Sequence, residues 1–263
     1  MDPRRARSFR EVAPESVLLG GAGAAILLQI ADPRVGRGVA VHSDFVRDPL
    51  KRLWGTLDYI YAVSLGSDAQ RSRVVEHVNH AHSYVHGPAT ETTPAYDADD
   101  DDARLWVAMT LCHCGTAAWE AVLGELPTDV QDEVVRGYGA LATSLGVPSD
   151  LWFRDRASFD AAFAARLAEL SVSDDARRVA HGLLAADHAP LWLRAAMPLV
   201  RWATAGLLPP AVRAAFSLPQ LRYTRATDLL FRTSIGFIGK VYPVLPDQVR
   251  QVVARARLRS LTA

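Results

Sequence analysis

The sequence predicts an all-α, single-domain protein of many packed helices. Apolar residues recur at helical spacing through most of the chain, and runs of strict apolar/polar alternation are nearly absent. Asp, Ser and Thr caps and Pro/Gly stops punctuate those runs at helix-length intervals. The 263 residues are 49% hydrophobic and 22% charged, enough for one large core. No internal repeat or long linker divides the chain. The expected domain covers residues 1–263: a candidate disordered leader over 1–13, a core over about 14–220 and a helical extension over 221–263.

Glu15-Ser16 opens a helix through 17–31 that is apolar all round, hence buried, and that Asp32-Pro33 ends. Asp48-Pro49 is an N-cap with proline at the first helical position. The helix from there reaches about Ser64, with Leu50, Leu53, Leu57 and Ile60 as one stripe. Gly66-Ser67-Asp68 breaks and caps the chain, and the next helix is expected to run to Gly87-Pro88. A solvated loop over 88–103 follows, and its last acids, Asp99 to Asp102, favour the positive end of a helix over 103–124. Pro127-Thr128-Asp129 starts another, which Gly146 stops. Ser158 is expected to cap 159–170 and Ser173 to cap 174–184. Helices over about 191–205, 210–216, 222–238 and 246–258 complete the pattern.

Charge and cysteine usage exclude several function classes. There are 29 basic and 29 acidic residues, so no global field attracts nucleic acid or an anionic membrane. Only Lys51 and Lys240 are lysines, which we attribute to coding bias. Cys112 and Cys114 give no disulfide framework and point to a reducing, cytoplasmic setting. The apolar run 17–31 is short for a membrane span and contains Gln29, and Asp32-Pro33-Arg34 follows it where a leader would carry a small-residue cleavage site. A buried helix without stable membrane insertion is the better reading. The oligomeric state is left open.

Four of the eight histidines fall between positions 77 and 86, in His77-Val78-Asn79-His80-Ala81-His82-Ser83-Tyr84-Val85-His86. Imidazole is the commonest metal ligand. His82 and His86 are four apart, the spacing of a helical zinc pair, but Ser83 stands where a metalloprotease has its glutamate and no third ligand is evident. One histidine alone can hold a haem iron; the plain alternative is a hydrogen-bonded core histidine. His77 and His80 lie off the His82 face and are expected to be exposed. Arg52 and Thr56 share a helix face and can polarise a bound oxygen species or anchor an anion, although such pairs are also common as surface packing. Cys112-His113-Cys114 is tighter than a zinc knuckle, and its cysteines point about 200° apart on a helix, as small packing residues do. His42-Ser43-Asp44-Phe45 stands in a turn before Pro49, as a helix entry or the lip of a pocket.

The order of these segments resembles the catalytic domain shared by bacterial latex-clearing proteins (rubber oxygenases) and the fungal mycophenolic-acid pathway oxygenase MpaB. The residues that carry the resemblance are Gly38-Val39-Ala40-Val41-His42-Ser43-Asp44-Phe45, Asp48-Pro49 with Arg52 and Thr56, and His82-x-x-Val85-x-Gly87. Further along stand Tyr96-Asp97-Ala98-Asp99, Leu105-Trp106-Val107 and Gly206-Leu207-Leu208-Pro209-Pro210 with Arg213. The resemblance implies a helical domain with a haem b pocket between core helices. It implies His82 as the proximal iron ligand, Arg52 and Thr56 as distal polar residues, and O₂ chemistry on an apolar, isoprenoid-like or small natural-product substrate held in a tunnel. His42 and His86 are second candidates for cofactor contacts, as is Asp44 for the pocket rim; Trp54 and Tyr84 are candidates to flank the porphyrin. Three positions depart from the pattern: Gly55 stands where rubber oxygenases carry a lysine, Asp32-Pro33 replaces a His-Pro pair, and Ala108 replaces a histidine. The alternatives are a non-catalytic haem-binding protein and a helical binding protein without cofactor.

Overall fold

The computed structural model describes residues 2–42, 48–91 and 93–262. Among them are fourteen α-helices and one two-stranded antiparallel ladder. The all-α expectation holds, and the leader is also folded. Helix α1 (Phe9–Val12) buries Phe9 and Val12. The Phe9 ring lies so close over Gly137 that a Cβ there would come within 2.3 Å of it, and it meets Tyr138 edge-on at 5.4 Å. Apolar side chains with a docking site order a terminus that composition alone leaves loose.

The predicted helix over 17–31 is two pieces, a 3₁₀ segment Ser16–Gly21 and α2 (Ala22–Ala31). Gly21 explains the tight start: a Cβ on it would sit 2.2 Å from the Cys114 carbonyl oxygen, so only glycine allows the two backbones this approach. The chain turns at Asp32 into α3 (Pro33–His42), which leaves α2 at 103°. Asp32 is buried and ion-paired with Arg166 at 2.7 Å and Arg34 at 3.2 Å, and both arginines also reach Asp102. The aspartate that departs from the family pattern is thus the hub that ties the α2–α3 corner to two later helices.

Asp48 caps α4 (Pro49–Leu65) by accepting from the Lys51 amide, and a Ser67–Gln70 capping box starts α5 (Asp68–His82), antiparallel neighbour of α4 across a short turn. The histidine helix is shorter than expected. It stops at His82; Ser83 and Tyr84 turn the chain, and His86 lies in strand β1 (His86–Gly87), paired with β2 (Tyr96–Asp97). His82 and His86 therefore do not share a helical face, which removes the geometry of a zinc pair.

Helix α6 (Asp101–Leu123), capped by Asp100, is the central element. Trp106, Met109, Cys112, Cys114 and Trp119 bury different sides of it. Both cysteines are free and buried, as packing residues. Around it lie α2, α7 (Thr128–Thr143), α8 (Arg156–Glu169), α10 (Leu191–Leu207) and α12 (Arg225–Val241), while α9 (Asp174–Ala185) packs on α3 and α11 (Pro210–Phe216) follows α10. Asp155 rather than Ser158 caps α8, its carboxylate accepting from the Ser158 amide. The predicted last helix is broken at Gln251 into α13 (Asp247–Arg250) and α14 (Val252–Ser260). Among the described residues no single helix is long and apolar enough to cross a membrane.

The end of the chain closes on its beginning. Arg250 and Glu15 pair at 2.9 Å with side chains only 2% exposed. The Tyr242 hydroxyl (2.9 Å) and Gln251 (3.1 Å) also donate to the Glu15 carboxylate. Removing one member of a buried pair leaves the other charge uncompensated. Arg250→Met should therefore lower unfolding free energy in urea by about 3–5 kcal/mol, and the double variant Glu15→Leu/Arg250→Met should recover part of that loss.

Candidate functional site

The site stands between α4 and α5. On α4, with 100° per residue, Arg52, Gly55, Thr56 and Tyr59 fall on one face and Trp54, Leu57 and Tyr61 on the other. The second face packs on α14: Leu57, Tyr61 and Ala254 form a small core, and the Arg257 guanidinium lies over the Trp54 ring at 5.3 Å. Trp54 is thereby a packing residue of that interface. The first face is turned toward α5 and α7. Tyr59 is buried on it and donates a 2.6 Å hydrogen bond to the Leu141 carbonyl.

The inward face of α5 carries Val75, Val78 and His82, while His77 and His80 point outward and are exposed, as expected. Tyr84 is exposed too, its ring edge-on to His80 at 5.2 Å. The antiparallel turn sets the start of α4 against the end of α5, so Arg52 and His82 act on each other. Burial, and then the charges of Arg104 and Arg52, push the His82 imidazole down to about 4; Asp99 opposes the shift. His82 is neutral at physiological pH, and its Nδ1 is buried with no hydrogen-bond partner among the described residues. Desolvation likewise lowers the Arg52 guanidinium below its ordinary value, although the side chain keeps much of its surface accessible. Gly55 is exposed and a Cβ built on it would meet nothing within 4 Å, so the shallow recess between α4 and α5 opens to solvent there.

Arg104 is the site residue that sequence reading missed. It stands in the first turn of α6, is ion-paired with Asp99, reaches Asn79 Oδ1 at 3.5 Å, and influences both Tyr59 and His82. The available signal was an arginine within a run of acids, directly before the Leu105-Trp106-Val107 segment.

His42 and His86 form a separate module beside this recess. Gly87 lies under the Tyr96 ring, where a Cβ would come within 2.6 Å, and the Tyr96 hydroxyl is 2.9 Å from His42 Nε2. Gly38 of α3 lets Val85 and Tyr96 approach that helix. This module braces the turn that follows His82. His86 itself is exposed on the ladder. Asp44 and its neighbours 43–47 lie outside the described residues. Among the described residues no group of three or more His, Cys, Asp or Glu side chains could hold a metal ion.

The family model for the "ER-bound oxygenase mpaB/B'/Rubber oxygenase, catalytic domain" matches residues 9–239. The chain belongs to this family. Its helical fold is thus that of an mpaB/rubber oxygenase catalytic domain, an oxygenase that takes O₂ and a substrate. Two mycobacterial relatives are similar over most of their length: "Uncharacterized protein Mb2261" of Mycobacterium bovis and "Uncharacterized protein Rv2237" of Mycobacterium tuberculosis. Each is 32% identical over 228 residues, which is 85% of this chain and 88% of the relative. No solved structure matches the chain significantly.

The neutral imidazole has a consequence for stability. A free histidine titrates near 6.5, whereas His82 and the buried His113, stacked on Phe163, are both pushed down to about 4. Between those values the unfolded chain binds protons that the folded chain does not, so stability falls as pH falls. The unfolding free energy should be lower at pH 5 than at pH 7, and His82→Gln should reduce that difference by on the order of 1 kcal/mol.

Proposed function

We propose that this protein is a haem b-dependent oxygenase acting with O₂ on an apolar substrate, isoprenoid-like or a small natural product. The observation that carries the reading is the neutral His82 imidazole, with a buried unpartnered nitrogen, at the end of α5 and within the field of Arg52 and Arg104. A buried polar atom without a partner costs about 1–3 kcal/mol, and a ligand in the recess relieves it. A lone imidazole would suit a metal whose remaining donors a macrocycle supplies. Gly55 leaves space for a bulky group, and the Arg52 guanidinium supplies a counter-charge for an anionic one.

In this reading His82 is the iron's protein ligand. Burial, aided by the positive charge of Arg104 and Arg52, keeps it in the neutral form that coordination requires. Haem b, when bound, supplies the redox chemistry that O₂ requires and that side chains lack. Arg52 and Thr56 donate hydrogen bonds where negative charge develops on oxygen, and their helix holds them fixed before the reaction begins. His42 and His86 serve at the margin of the cofactor, His42 through Tyr96. With Gly55 in place of lysine, this chain brings no amine to the oxygen side of the recess. We place the protein in the cytoplasm, consistent with its two free, buried cysteines.

The test is the absorption spectrum of the protein expressed with haem precursor, beside His82→Ala. A Soret band that is lost or shifted in the variant supports the reading. No band in either protein, with iron absent by elemental analysis, overturns it. Gly55→Lys, which has room at its Cβ, should keep the band and move its position, because an amine becomes available to the iron. Arg52→Ala should keep the band and slow O₂ uptake with isoprenoid alkenes by about 10²-fold or more; a band without any O₂ uptake in the parent protein would instead favour a haem carrier.

A further inference from the structure

A second functional surface lies on the opposite half of the chain, independent of what the α4–α5 recess does. We infer that the exposed face of α12, with its neighbour α10, docks on an anionic phospholipid bilayer surface. The inward side of α12 carries Phe231 and Ile235, and its Gly239 abuts the Val122 carbonyl of α6. Its outward side ought to be polar, and it is not. Leu229 (67% exposed), Leu230 (58%) and Phe237 (68%) fall with Val241 within one arc of the helix, and Val244 (77%) continues past its end. Along one edge of that arc stand Arg225, Arg232 and Lys240, all exposed. Helix α10 packs beside it through Trp202 against Phe231 at 4.9 Å and leaves Leu191, Trp192 and Leu199 each more than half exposed. Isolated apolar residues are ordinary on a surface, but two adjacent helices presenting seven large ones, with Val244 just beyond, are not.

Charge selects the occupant. The whole chain is neutral, yet between Leu191 and Val241 stand seven basic residues and one acidic residue, Asp228, which Arg232 already engages at 2.8 Å. A second copy of this chain paired about a twofold axis through this face would set its cations against one another with no acid to receive them. A bilayer rich in anionic headgroups provides that acid, takes the leucines and Phe237 into its acyl boundary, and suits Trp192 at the headgroup level. The helix lies on such a surface without spanning it.

The experiment is flotation of the full chain with vesicles of phosphatidylcholine and phosphatidylglycerol in equal parts, beside pure phosphatidylcholine vesicles. The expected result is at least ~10-fold more protein on the anionic vesicles, released by molar salt, with a blue shift of tryptophan emission that Trp192→Phe diminishes. Two variants, Arg225→Glu/Arg232→Glu/Lys240→Glu and Leu230→Ser/Phe237→Ser, should each lose that binding while keeping the parent's melting temperature, since all five side chains lie outside the core. Equal recovery on both vesicle types, no recovery on either, or binding unaffected by both variants would overturn the proposal. So would a dimer in sedimentation velocity that Leu230→Ser/Phe237→Ser converts to monomer, because the face would then belong to a second copy.

Discussion

Helix α6 has no solvent face to speak of along its middle, and the rest of the fold is arranged to satisfy it. A helix apolar all round must be enclosed, so the remaining long elements have to find places about one axis. Close approach on one side requires small residues on both partners. Gly21 against the Cys114 backbone meets that need, and so does Gly115 beneath the Tyr138 hydroxyl. The Cys-x-Cys pair belongs to this requirement, with each thiol pushed far above its ordinary pKa by burial and therefore unreactive. Because α6 is enclosed, its first turn is also fixed, and that turn carries Arg104 to the end of α5. The position of the histidine recess is in this sense a consequence of how α6 is packed.

The recess shows how a fold sets protonation without a dedicated partner. Two guanidinium groups near one imidazole, all partly removed from water, make the imidazolium unfavourable. Asp99 could have reversed this, but Arg104 engages it. The result is an imidazole held neutral in a cationic setting, with its Nδ1 buried and unpartnered.

Much of this was legible in the sequence, and the failures have identifiable physical causes. Caps are local, so Asp48, Ser67 and Ser173 marked helix starts that the structure bears out. The juxtaposition of Arg52 and His82 followed from a short turn between two helices. What sequence reading did not reach depends on distant partners. His86 left the helix because the chain pairs Gly87 with Tyr96, a contact decided nine residues away. The leader is ordered by a glycine more than a hundred residues later. Net charge averaged over the chain concealed the segregation of basic residues onto the α10–α12 half, since a sum contains no positions.

The Glu15–Arg250 pair has a consequence for biosynthesis. Its members are 235 residues apart, and the carboxylate is made first. At about 5–20 residues per second, a ribosome needs roughly 10–50 s to supply the arginine. During that interval Glu15 lacks its native counter-ion, and burying a carboxylate without one is unfavourable. Native burial of Glu15 therefore follows the emergence of the last helices, whereas Phe9 needs only Gly137 and Tyr138 to dock.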